Sequence, residues 1–104
     1  MQLLKDLKGK YLVEGITGHY AHGDKMTFGY VDIKKGSILP EHKHPQEQIT
    51  YIIEGQLDMT IAGKYCPLTK GMFYVIPSDT LHSAFAVTDC VVLDAFSPAR
   101  EDYK

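Results

Sequence analysis

A chain of 104 residues with net charge −2, five histidines and two cysteines has room for one hydrophobic core, burying about two thirds of its unfolded surface, and none for a second. Its charge balance and scattered lysines exclude the basic footprint of a nucleic-acid binder, and no apolar run reaches membrane-spanning length. The first ten residues set Lys5, Asp6, Lys8 and Lys10 among the apolar ones and so lack the apolar core of a signal peptide.

In chain order, Leu3 to Leu7 has room for one helical turn, and no longer helical stripe follows. Turn signals then recur at short spacing: Gly23-Asp24, Lys35-Gly36, Glu54-Gly55, Ala62-Gly63-Lys64, Lys70-Gly71, Pro77-Ser78-Asp79 and Thr88-Asp89. Between them lie short β-rich segments, of which Leu57, Met59 and Ile61 alternating with Asp58 and Thr60 is the clearest strand. Many short strands with regular turns predict a single all-β domain, a sandwich or barrel. The last strand, Cys90 to Phe96, offers two faces. Val91, Leu93 and Ala95 are uniformly apolar and suit the core, but burying them would expose Phe96 along with Val92 and Asp94. Tyr51 and Tyr74 fall at positions expected outside the barrel, where tyrosines often cover a dimer interface. Cys66 and Cys90 have no metal-type spacing and too few partners for a disulfide framework. They read as small buried hydrophobes in a reduced, cytoplasmic protein.

The chemistry gathers around histidines. In extended chain, side chains at even offsets share a face, so His42, His44 and Gln48 converge if this segment is strand. Glu47, at an odd offset, points away. Imidazole nitrogens with one amide oxygen suit a divalent ion such as zinc, nickel, iron, manganese or cobalt, with space left for water or substrate.

Gly36, His42, His44, Gln48 and Gly55 are spaced as in the first cupin signature, with Gln48 in the place of its glutamate. Gly71, Pro77 and His82 fall on the second signature, with Asp79 in the place of a glycine. The chain therefore resembles the cupin superfamily, which implies a double-stranded β-helix, or jelly-roll barrel, with a core over about residues 18–97, one metal ion per chain, and a homodimer. His82 joins the ligand set through this resemblance.

The ending, Leu93-Asp94-Ala95-Phe96-Ser97-Pro98-Ala99-Arg100, is similar to that of KdgF-like cupins, which process unsaturated uronates from pectin and alginate. That likeness implies a metal held by His42, His44, Gln48 and His82, with Asp94, Phe96 and Arg100 lining the active site. The implied substrate is a small carboxylate-bearing sugar derivative, a cyclic 4,5-unsaturated monouronate opened to a 5-keto-4-deoxyuronate. Where basic residues for a substrate carboxylate would be sought, the chain has His19, Tyr20 and His22, and both histidines read as exposed loop residues. Two other readings stay open: a metal-dependent dioxygenase or lyase on another small molecule, since fold does not fix chemistry, and a sugar-binding or sensory cupin without turnover.

Overall fold

The computed structural model describes residues 1–104. The strands are β1 (Gly9–Val13), β2 (Ile16–His22), β3 (Thr27–Ile33), β4 (Ile38–His42), β5 (Glu47–Glu54), β6 (Gln56–Ile61), β7 (Lys64–Thr69), β8 (Phe73–Ile76), β9 (His82–Ala86) and β10 (Cys90–Ser97). Single 3₁₀ turns, Leu4–Asp6 and Glu101–Tyr103, flank them. The first lies where one helical turn was expected. No helix is long and apolar enough to cross a membrane.

Every strand pair is antiparallel. They form a six-stranded sheet, β1-β2-β3-β10-β5-β8, and a four-stranded sheet, β4-β9-β6-β7. Ile16, Val31, Ile52 and Val92 of the first meet Leu57, Met59, Ile61 and Ala84 of the second in one buried core. The expected all-β, two-sheet architecture is therefore present. Neither sheet closes on itself, so the molecule is two facing sheets and not a hydrogen-bonded barrel. The alternation read at Leu57, Met59 and Ile61 is real, and all three are buried.

Two turn residues explain the glycine spacing. Gly55, between β5 and β6, has φ +91°, and a Cβ there would lie 2.2 Å from the Asp89 carbonyl oxygen; only glycine fits. Asp79 sits at φ +56°, in the left-handed region that glycine and, among other residues, aspartate tolerate best. Its backbone N–H donates to the His44 carbonyl at 2.9 Å. The replaced motif glycine is thus a conformational requirement that aspartate meets while tying the β8–β9 loop to the histidine segment.

The last strand decides between the two faces the sequence left open and turns inward the one that carries Asp94 and Phe96. Strand β10 is central, between β3 and β5, and pairs Asp94 with Thr50 and Phe96 with Gln48. Gln48, Thr50 and Ile52 face inward from β5, so Val92, Asp94 and Phe96 face inward with them. Val91, Leu93 and Ala95 lie half-buried on the outer face. Uniform apolarity marked the outside of the sheet because a buried carboxylate on the other face has hydrogen-bond partners to satisfy it. Tyr74 departs from expectation. It pairs with inward-facing Thr50 and packs on the core, whereas Tyr51 is exposed.

Candidate metal centre

Three elements converge at one end of the space between the sheets. His42 ends β4 and pairs with His82, the first residue of β9. His44 lies in the connection from β4 to β5, so the His42–Gln48 segment is not the continuous strand that even spacing suggested. Burial nevertheless alternates through it: His44, Gln46, Gln48 and Thr50 are buried and the residues between them exposed. The parity argument thus holds across a break in the ladder. Glu47 is exposed, as its odd offset required.

The three rings offer nitrogens that all lie within 4.8 Å of one another. Their centroids are 4.2 Å apart for His42 and His82, 5.0 Å for His44 and His82, and 5.8 Å for His42 and His44. Each Nδ1 faces a backbone carbonyl: Pro40 at 2.8 Å for His42, Gln46 at 3.0 Å for His44, and Thr80 at 2.8 Å for His82. A carbonyl only accepts, so each Nδ1 carries the hydrogen and each Nε2 presents a lone pair. Such carbonyl contacts are the usual outer support of metal-bound histidines.

Two observations show that this donor set fits a cation. The His82 Nε2 is buried and has no hydrogen-bond partner. The His44 Nε2 lies 2.9 Å from Gln48 Oε1, placing two lone pairs against each other. The amide cannot be turned to relieve this, because Gln48 Nε2 donates to Thr50 Oγ1 at 2.8 Å and to Asp94 Oδ1 at 3.2 Å, and an ionised carboxylate accepts only. A positive ion among these nitrogens would relieve both defects. Burial keeps the rings ready for it, lowering His44 below the usual histidine range, with the Arg100 charge adding to the effect, and pushing His82 down to about 4. The cluster His42, His44 and His82 can coordinate a divalent transition metal ion.

The cavity beside the cluster is lined mostly by apolar core residues, with His42, Gln48, Thr50, Asp94, Arg100 and Tyr20 adding polar groups to its wall. Its volume is about 50 Å³, room for a few waters or the reacting end of a small acid. Asp94 is held inside by Thr50 Oγ1, which donates to its Oδ1 at 2.7 Å. Removal from bulk water pushes its carboxyl up to about 6, against the opposing pull of the Thr50 and Gln48 hydrogen bonds. Phe96 is buried, with its ring 5.6 Å from that of His44.

Arg100 is buried as well. Its Nε and Nη2 donate to the two Asp102 oxygens at 3.0 and 2.9 Å, and its guanidinium carbon lies 3.8 Å from the centre of the Tyr103 ring and 4.8 Å from that of Phe96. Asp102 is the one carboxylate of the chain paired with Arg100. The Tyr103 ring in turn packs on Tyr20 at 4.7 Å, so the terminal 3₁₀ turn covers one wall of the cavity. His19 and His22 are strand residues of β2 and not loop residues. His19 Nδ1 meets the Leu7 carbonyl at 2.7 Å and His22 Nδ1 meets Thr27 Oγ1 at 2.9 Å.

Sequence reasoning missed Thr50, Tyr20 as a cavity wall, and Tyr103. Thr50 carried a signal, standing two residues beyond Gln48 on the same face. Tyr20 and Tyr103 meet through long-range packing that no local pattern announces.

Residues 29–96 match the cupin domain family. The chain is a cupin. The pectin degradation protein KdgF of Dickeya dadantii (strain 3937) is 30% identical to it over 82 residues, 77% of this chain and 74% of that protein. The structure of KdgF from Halomonas sp. matches this cupin with a TM-score of 0.90 at 28% identity, over 98% of this chain and 96% of the other. An RmlC-like cupin from Shewanella frigidimarina matches with a TM-score of 0.92 at 24% identity, over 99% and 94%, a likeness of fold. The chain is thus a KdgF-like cupin with a three-histidine metal-binding cluster.

Proposed function

We propose that this cupin opens and ketonises a cyclic 4,5-unsaturated monouronate, using one divalent transition metal held by His42, His44, His82 and the Gln48 amide oxygen. The observation that carries this reading is the Gln48–Asp94 pair. The amide turns its oxygen toward the histidine nitrogens and its nitrogen toward a carboxylate poised near neutrality, so charge stabilisation and proton transfer fall side by side. When bound, the ion supplies Lewis acidity toward oxygens on which negative charge gathers. Because Gln48 and the three rings are neutral, they leave that charge undiminished.

Asp94 takes the proton of the anomeric hydroxyl. The bond from the anomeric carbon to the ring oxygen breaks, its electron pair stays on that oxygen, and an aldehyde and an enolate result. Protonated Asp94 then returns its proton to the fourth carbon, giving the 5-keto product with no other reactant. A carboxyl group near 6 suits both directions of transfer at neutral pH. Phe96 forms a wall against the sugar, and Arg100 presents its Nη1 edge to the substrate carboxylate.

This cupin is also proposed to act as a homodimer in a reducing, cytoplasmic setting. Both cysteines are buried and unbridged, which agrees with such a compartment. Across the outer face of the six-stranded sheet run Leu93, Tyr51 and Phe73 in one row and Ala95, Ile49 and Val75 in the next. A patch of neutral side chains of this kind carries no like charges to repel its own copy and favours self-association.

Proton return in deuterium oxide tests the chemistry. The enzyme should give a product with deuterium in a single configuration at the fourth carbon, read by proton NMR. Equal amounts of both configurations, at a rate indifferent to the protein, would refute it. Oxygen consumption with turnover would favour the oxygenase reading instead.

A further inference from the structure

Thr50 is 1% exposed on β5, opposite Asp94 on one neighbouring strand and Tyr74 on the other. Three hydrogen bonds make a closed triangle. Gln48 Nε2 donates to Thr50 Oγ1 at 2.8 Å, Thr50 Oγ1 donates to Asp94 Oδ1 at 2.7 Å, and Gln48 Nε2 donates to the same Oδ1 at 3.2 Å. The carboxylate fixes every direction. It only accepts, so the threonine hydrogen goes to it; the threonine oxygen is then an acceptor, and it takes the second amide hydrogen of Gln48. Both hydrogens of that amide are thereby committed inward, and Oε1 has one place to point, toward His44 Nε2.

The triangle also divides the two oxygens of Asp94. Both bonds end on Oδ1, and no donor of the chain reaches Oδ2. An oxygen already accepting two hydrogen bonds is a poor place for a proton, so Oδ2 is left as the oxygen that exchanges one.

From this geometry we infer that Thr50 is a positioning residue, setting the orientation of the Gln48 amide toward the metal. This inference rests on the reading of Gln48 as a ligand. A threonine serving only to fill space in a strand would be replaced by the near-isosteric valine with no effect on the metal. A positioning threonine would not. Without the hydroxyl, one amide hydrogen of Gln48 loses its partner, and the amide is held only by its longer contact to Asp94, at 3.2 Å.

The test uses the full chain loaded with cobalt(II), whose visible absorption reports ligand identity and geometry, beside competition with a chromophoric chelator. Thr50→Val should alter the cobalt spectrum and weaken cobalt binding about tenfold or more, the loss typical of removing an outer partner of a metal ligand. Thr50→Ser, which keeps the hydroxyl, should restore both. If Thr50→Val does not fold, Thr50→Ala serves in the same comparison. Wild-type spectrum and affinity in Thr50→Val or Thr50→Ala would overturn the inference. The control is Gln48→Ala. If it changes the spectrum while the Thr50 variants do not, the Thr50 inference alone fails; if it too leaves the spectrum unchanged, Gln48 is not a ligand and both readings fail.

Discussion

Arg100 and Asp102 form a two-pronged ion pair, with a buried guanidinium and a carboxylate side chain that is 59% exposed. The fork expected to hold a substrate carboxylate thus already holds one from its own chain. Stacking against Phe96 and Tyr103 keeps the guanidinium in place independently of Asp102. Asp102→Ala should therefore lower KM for an acidic substrate, by freeing the Nε edge and unmasking the charge, while lowering thermal stability. Arg100→Lys, lacking the planar fork, should raise KM about tenfold or more, the equivalent of one charge-assisted hydrogen bond of about 1.5–3 kcal/mol. Steady-state kinetics of the two variants decide it. A raised KM in Asp102→Ala would show that the pair positions Arg100 and does not compete with substrate.

Exchanging the amide for a carboxylate separates metal affinity from catalysis. Gln48→Glu adds a negative charge beside the ion and beside Asp94, which in the native chain lies 3.2 Å from the amide nitrogen. Metal binding should tighten, Asp94 should be pushed further above its ordinary range by its new neighbour, and turnover should fall about tenfold, a loss of roughly 1.4 kcal/mol of transition-state stabilisation. Chelator competition and turnover of metal-loaded variants read the two effects. Equal or faster turnover would mean that the neutral ligand has no catalytic value.

In the metal-free protein His82 should contribute a loss of stability as pH falls, opposed over the same range by Asp94, whose carboxyl burial pushes up to about 6 and which binds its proton more tightly folded than unfolded. Folded His82 stays neutral down to about 4 because it is buried, whereas in the unfolded chain it takes a proton near 6.5. Between those values the unfolded state binds more protons, so stability is retained above about 6.5 and declines toward 4, by on the order of 3 kcal/mol from this residue. Thermal melts in chelator of the wild type and of His82→Phe isolate it as the difference between the two, with the wild type losing stability relative to the variant as pH falls from about 6.5 toward 4. A difference between wild type and His82→Phe that does not change with pH would show that the ring is solvated.

Association through the outer sheet face is separable from the site. Phe73 is 63% exposed on the edge strand β8, where a charge costs the folded monomer little. Phe73→Asp should convert a dimer to a monomer by light scattering while leaving metal content unchanged. A wild-type chain that is monomeric at high concentration would remove the proposal.

The strands and the three-histidine cluster were readable because each leaves a local trace. Alternation marked Leu57, Met59 and Ile61, glycines marked the sharp turns, and fixed spacing joined His82 to His42 and His44. The break in strand at His44 was invisible because burial keeps its period of two through the connection. The facing of β10 stayed open on composition alone for a physical reason. Composition ranks Val91, Leu93 and Ala95 as more suited to a core than Asp94, and it carries no information about the Thr50 and Gln48 donors that satisfy Asp94 once β5 pairs with β10. The Asp102 grip on Arg100 lay two residues away in the chain, yet only the terminal turn shows which of two neighbouring acids takes the guanidinium.

The most direct measurement follows the ultraviolet absorbance of the conjugated double bond in a 4,5-unsaturated monouronate. Metal-loaded protein should remove it well above the spontaneous rate, chelation should abolish the gain, re-addition of a divalent transition metal should restore it, and Asp94→Asn should lack it while still binding metal. Loss of absorbance at the spontaneous rate with fully metal-loaded protein would contradict the proposed function.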